Sequence, residues 1–292
     1  MAALFLLVAG CGEEIPPQTG IPVAQASDGP APPAAEPPPV AEFRTLTGSD
    51  PVPMPFDPYV IPMDGMAELA LAVEQAAYDC MHERGRTGWE KGMIRNWSPH
   101  DFNESPFYPY LDPARAAEKG YPRTSLDPEL VEKASVRPSR AATADELAAY
   151  NGPDGCHESA RKRIYDPPQL DVDVRALITD AKLSAARDTR FIQAVESWRI
   201  CMGRRGFAYQ DPRLPAMNPA WESRTEDQPA GKEERRTARA DAECQAASNV
   251  AGVYATLRAA YERRSLDANR DRLGPSREVT RRWLANAHAI LS

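Results

Sequence analysis

Several things are scarce in this 292-residue chain, and each shortage removes a class of function. No apolar run approaches the ~20 residues needed to cross a bilayer, and 26% of the residues are charged, so the chain is not membrane-spanning throughout. Positive charge is in deficit. The 35 Lys and Arg stand against 42 Asp and Glu, a net charge of -7, which argues against a general nucleic-acid binder. There are four histidines, at 82, 100, 157 and 288, with no His-x-x-x-His pair and no Cys-x-x-Cys among the cysteines. No Gly-x-Ser-x-Gly elbow, phosphate loop or Gly-x-Gly-x-x-Gly occurs. Alternating strand and helix signals are missing too, which counts against a solute-binding lipoprotein of an importer.

What is present begins at the N-terminus. Met1 to Gly10 form a short apolar run ending in small residues before Cys11. It is too short to span a membrane and fits the core of a signal peptide. Val8-Ala9-Gly10-Cys11 resembles a bacterial lipobox, which implies cleavage before Cys11 and lipidation of its thiol. Val8 stands where leucine is more usual, and the basic n-region is missing, which points to a start codon upstream. The first expectation is therefore a signal peptide at 1–10 and a membrane partner reached through a lipid on Cys11.

Proline is abundant but local: of 29 prolines, the larger clusters are Pro16-Pro17, Pro30-Ala-Pro32-Pro33 and Pro37-Pro38-Pro39. Such a stretch favours polyproline II. Residues 11–62 read as a disordered Pro-rich tether, which at ~3.1 Å per residue would reach on the order of 150 Å.

With Cys11 lipidated, Cys80, Cys156, Cys201 and Cys244 remain, enough for two disulfides in an exported protein. Four cysteines allow three pairings. An internal repeat favours one of them. Cys80-Met-x-x-Arg-Gly85 recurs as Cys201-Met-x-x-Arg-Gly206, each at the end of an amphipathic helical pattern and each followed by one more cysteine. The repeat favours Cys80 with Cys156 and Cys201 with Cys244. On the chain-entropy account such loops stabilise by roughly 4 to 4.5 kcal/mol each.

The fold expectation is mainly α: two related disulfide-stapled helical halves, 63–168 and 169–292, with long irregular loops. In the first half Asp64 is the expected cap of a helix ending at Gly85. Residues 86–142 read as irregular, with one short helix from Pro113 to Gly120. A capping box at Thr143–Glu146 opens another helix, and one more runs from Cys156 to about Tyr165. In the second half, helices are expected at 171–186 and 188–205. A long helix is expected from about Glu233, with Ala240, Cys244, Ala247, Val250, Tyr254, Leu257 and Tyr261 on one stripe and a break at Gly274-Pro275.

The set Cys80-Met-x-x-Arg-Gly85, Ala116-Ala-x-x-Gly120-Tyr121, Ala149-Tyr-x-Gly-x-x-Gly155-Cys156, Trp198-x-x-Cys201-Met-x-x-x-Gly206-Phe207, Ala240-Asp241-x-x-Cys244 and Asn286-Ala-x-x-Ile-Leu291 resembles uncharacterised secreted proteins and lipoproteins of high-GC Gram-positive, actinobacterial species. The resemblance covers about residue 60 to the C-terminus. It implies export and an all-helical fold, and it implies no catalytic residue and no cofactor.

Candidate chemistry is sparse. His82 and His157 follow the first cysteine pair closely, and with Glu83 and Glu158 could meet in a metal site, but no ligand spacing supports it, and none is expected. Asp171 and Asp173 read as charges favourable at a helix start. The aromatic residues Trp89, Trp97, Phe107, Tyr108 and Tyr110 are the candidate binding surface; the alternative is that they fill the core of an irregular lobe. Residues 232–282 mix bases with acids, a pattern usual for a solvated face. The expected function is a non-enzymatic binding or accessory lipoprotein of the bacterial cell envelope, with an envelope protein or a cell-wall polymer as partner. A cell-wall modifying hydrolase is the alternative.

Overall fold

The computed structural model describes residues 36–48, 52–102, 107–123 and 126–292. The expected signal peptide, Cys11 and the first prolines lie outside these. Among the described residues the structure is helical, with ten α-helices, two short 3-10 turns and no strand.

Local sequence opens most of the helices. The first, α1 (Met63–Glu83), follows Pro62, which holds the cap position without a side-chain bond. Asp64 is not the cap but lies in the first turn, accepting from the Gly65 amide. Asp112 caps α2 (Pro113–Lys119), with Pro113 at the first position, where its missing N–H costs nothing. The same Asp-Pro device opens α3 (Pro128–Ser135), where Asp127 accepts from the Glu129 amide; this helix was not expected within 86–142. Thr143 and Glu146 bond reciprocally at the head of α4 (Ala144–Asn151). Next comes α5 (Cys156–Ile164). Asp173 accepts from the Arg175 and Ala176 amides to start α6 (Val174–Arg187), and Asp188 starts α7 (Thr189–Arg204).

The long helix expected from about Glu233 to Gly274-Pro275 is two helices and the start of a third. Asn249 adopts the left-handed conformation (φ 52°) and separates α8 (Lys232–Ser248) from α9 (Val250–Ala268). Asparagine tolerates that region better than most residues. The change of direction takes Ala247 out of the apolar stripe and leaves it exposed. The next break comes at Asn269 rather than at Gly274-Pro275, which lies inside α10 (Arg270–Leu291). Pro275 sits in the second turn on an exposed position, so it removes one backbone hydrogen bond near the helix start without ending the helix.

The two sequence halves exchange elements. Leu69, Val73, Ala77 and Met81 of α1 and Cys156, Ala160 and Ile164 of α5 share one core cluster with Trp283 and Ala287 of α10. A second cluster joins α6, α7, α8 and α9 around Phe191, Trp198, Met202, Cys244, Tyr254 and Leu257, and takes in Tyr108 from the first half. Ala116 and Tyr121, at and just beyond α2, pack against Ala238 and Ala242 of α8. Residues 36–292 accordingly fall in one unit.

The expected linker boundary at 62 is corrected. Phe56 is fully buried with Val172, Val174 and Leu273, and its amide donates to the buried Glu262 carboxylate at 3.2 Å. Residues 36–48 lie in extended form against the second cluster, where Val40 and Phe43 are anchored. The prolines do keep this stretch extended, but its two apolar side chains give it something to bury.

Candidate functional site

The repeated motif forms the same joint twice. Gly85 and Gly206 have φ of 77° and 84°, the left-handed region in which a Cβ is disfavoured. Around each, the backbone closes in the same pattern. The Gly85 amide donates to the His82 carbonyl and the Arg86 amide to the Met81 carbonyl; the Gly206 amide donates to Gly203 and the Phe207 amide to Met202. These are two Schellman caps in identical register. Met81 and Met202 are fully buried beneath them. The motif arginines reach across to the segment that carries the partner cysteine. Arg84 donates to the Asp154 carbonyl at 2.9 Å, and Arg205 pairs with the Glu243 carboxylate. The cysteines then join as Cys80–Cys156 and Cys201–Cys244, both with Cα atoms 5.6 Å apart, inside the range a disulfide requires.

The joints differ in one respect. Cys80 closes α1 and Cys156 opens α5, whereas Cys244 lies well inside α8. Only the second joint has a buried polar centre. Asp241 is fully buried and accepts from Trp198 Nε1 at 2.8 Å, Gln245 Nε2 at 3.0 Å and the Tyr121 hydroxyl at 3.1 Å. No cation is among these partners. Burial pushes its carboxyl up to about 6 against the pull of its three donors, and it pushes the Tyr121 hydroxyl strongly upward. Trp198 and Asp241 each belong to a cysteine-containing motif of the sequence. The signal was their common position three residues before a bridging cysteine.

The other buried acids are clamped by arginine. Asp188 takes two bonds from Arg190, of 2.9 and 2.6 Å, and one from the Tyr261 hydroxyl at 3.1 Å; the Arg190 guanidinium holds its carboxyl below the usual range. Glu146 accepts both arms of Arg140, at 2.9 and 2.6 Å, and is held down to about 2 by that guanidinium. Glu262 pairs with Arg258 at 2.7 Å.

The buried Glu234 holds Arg224, which lines a cleft of about 380 Å³ between the end of α2 and residues 224–230. Glu234 accepts the Tyr121 amide at 3.1 Å and Arg224 through Nε at 2.9 Å and NH2 at 2.8 Å. Arg224 also holds the carbonyls of Tyr121 and Gln228, at 2.8 and 2.9 Å. Gly120 (φ 72°) is required here by close approach. A Cβ on it would lie 2.7 Å from both Ala230 Cβ and Glu234 Oε1. The rim presents Arg115, Lys119 and Arg235 on one hand and Glu226 and Asp227 on the other. With Glu234 and Arg224 engaged with each other, the cleft offers a surface of mixed sign.

The aromatic block is not the surface expected of it. Trp89, Trp97 and Tyr108 are buried; Phe107 and Tyr110 are half-buried. Trp89 stacks on Tyr150 with ring centroids 5.0 Å apart, Trp97 Nε1 donates to Glu74 at 2.6 Å, and Tyr108 meets Phe191 and Tyr254 edge-on. Irregular backbone makes no periodic face, so these large side chains go to whichever core lies nearest. The two candidate histidines are apart in role. His82 Nε2 donates to the Trp89 carbonyl at 2.8 Å, and His157 stacks on Tyr150 and faces Asn96 at 3.2 Å. Burial lowers the His157 pKa. Among the described residues no cluster of His, Cys, Asp and Glu could hold a metal ion, and no helix is long and apolar enough to cross a membrane.

The fold and its joints define a class: an all-helical body riveted by two disulfides, consistent with an exported protein. Comparison with protein-family models, curated proteins and solved structures finds no match.

Proposed function

We propose that this is an exported lipoprotein of the bacterial cell envelope, of the actinobacterial kind that its motifs resemble, and that it acts by binding rather than by catalysis. The paired disulfide joints carry this reading. Two bridges with good geometry, each placed by a purpose-built helix terminus, belong to an oxidising compartment. Cys11 supplies the lipid anchor, and the Pro-rich leader separates it from the body. The binding face is the mixed-sign cleft between α2 and residues 224–230, which suits a protein partner carrying both charges better than a uniform polyanion.

Two experiments test it. Cys11→Ser is expected to move the protein from the membrane to the soluble fraction of producing cells; retention on the membrane would overturn the anchor. A photo-crosslinker at Glu226 in intact cells is expected to capture a discrete partner that one at exposed Ile192, in α7, does not. Equal capture from both positions would remove the cleft from the account.

A further inference from the structure

Residues 36–44 cross α9 in the opposite sense to the helix, and their backbone is held the way a bound peptide is held. The Glu36 carbonyl accepts from Arg264 at 2.6 Å and the Pro38 carbonyl from Arg190 at 3.1 Å. Further on, the Arg44 amide donates to Thr256 Oγ1 and its carbonyl accepts from Asn249 Nδ2, both at 3.0 Å. The partners step from 264 back to 249 as the strap advances from 36 to 44.

Both arginines are fixed before they meet the strap. Arg190 is held by the buried Asp188, which also takes the Tyr261 hydroxyl, and Arg264 lies over the Tyr261 ring at 4.9 Å. Pro37-Pro38-Pro39 lacks backbone N–H groups and has its φ angles set by the rings, so its carbonyls are free to accept and little entropy is lost on docking. Pro38 is buried, Val40 and Phe43 enter the core cluster, and Gly252 leaves room for the Arg44 carbonyl, which would lie 2.0 Å from a Cβ at that position. Docking of a Pro-rich segment in an aromatic-lined groove is one of the recurring modes of peptide recognition; here arginine donors beside the Tyr261 ring meet the Glu36 and Pro38 carbonyls.

We propose that this face of α7 and α9 is a polyproline-recognition groove, filled by the chain's own residues 36–44, and that it accepts a segment of the same chemistry in trans once the strap is displaced. The tethered strap has an effective concentration of ~mM or more, which masks the groove in the unaltered chain.

The test uses the full chain and a fluorescent peptide of the sequence of residues 36–47. A chain carrying Pro38→Gly and Val40→Ser, with its strap weakened, is expected to bind the peptide about tenfold or more tightly than the unaltered chain. Adding Arg190→Ala and Arg264→Ala is expected to abolish the gain. Far-UV circular dichroism checks that each variant is folded. A folded strap-weakened chain with no gain would overturn the proposal. Hydrogen exchange on the unaltered chain gives a second reading that needs no variant. The Arg44 amide is expected to exchange about tenfold or more faster than those of residues 253–260 in α9, through local opening. Exchange at one common rate would make the strap an integral part of the core and would also overturn it.

Discussion

Trp198 Nε1 donates to Asp241 Oδ1 at 2.8 Å, one helical turn before the disulfide that joins Cys201 to Cys244. Each partner lies three residues ahead of its cysteine, so α7 and α8 run locally in the same direction and are fastened twice, once by sulfur and once by a buried acid. The acid has no compensating cation, and this gives the body a pH dependence.

Asp241 has a folded pKa raised to about 6 against an unfolded value near 3.9. A raised pKa means that the folded state binds more protons between these values. Stability is therefore highest below pH ~4 as far as this group is concerned, and falls as pH rises through 6, by up to ~3 kcal/mol. Asp241→Asn removes the titration. In denaturant melts the stability of the native chain relative to the Asn variant should fall between pH 4 and pH 7. A difference that stays constant across that range would contradict the assignment.

Gly203 and Gly206 lie three residues apart with open space around both, yet they should respond oppositely to alanine. Gly206 has a left-handed backbone, so Gly206→Ala should destabilise by about 1–2 kcal/mol. Gly203 is inside α7 with ordinary helical geometry, so Gly203→Ala should stabilise by up to ~1 kcal/mol. Thermal melts of the two variants compare them directly, and Gly85→Ala should behave like Gly206→Ala.

Glu234 is 2% exposed and answers the guanidinium of Arg224 and the amide of Tyr121. Glu234→Ala strands a part-buried arginine, and breaking such a pair costs about 3–5 kcal/mol. Arg224→Met in the same background should recover part of that loss, because it removes the orphaned charge. A double variant no more stable than Glu234→Ala alone would show that the clamp matters less than the packing around Gly120.

Much of this architecture could be read from the chain because it is local. Asp112, Thr143 and Asp173 cap where their side chains suggest, and Gly85 and Gly206 end helices by a rule confined to six residues. The bridge pairing could be read because the motif is repeated. What escaped reading depends on tertiary context. Asn249 in the middle of an apolar stripe gives little warning of a left-handed break, and Pro275 is tolerated because it falls early in α10. Pro37-Pro38-Pro39 reads as spacer until Val40 and Phe43 are seen to pack, half-buried, against the core. The aromatic block looked like a surface because irregular segments carry no periodicity that separates inside from outside.

The measurement that bears most directly on the account is non-reducing peptide mapping of the protein taken from the envelope of producing cells, alkylated at lysis. Cys80–Cys156 and Cys201–Cys244 should be the two bridges found, with no alkylated thiol among the four. Free thiols at these positions, or bridges joining Cys80 or Cys156 to Cys201 or Cys244, would contradict both the paired joints and the exported setting inferred from them.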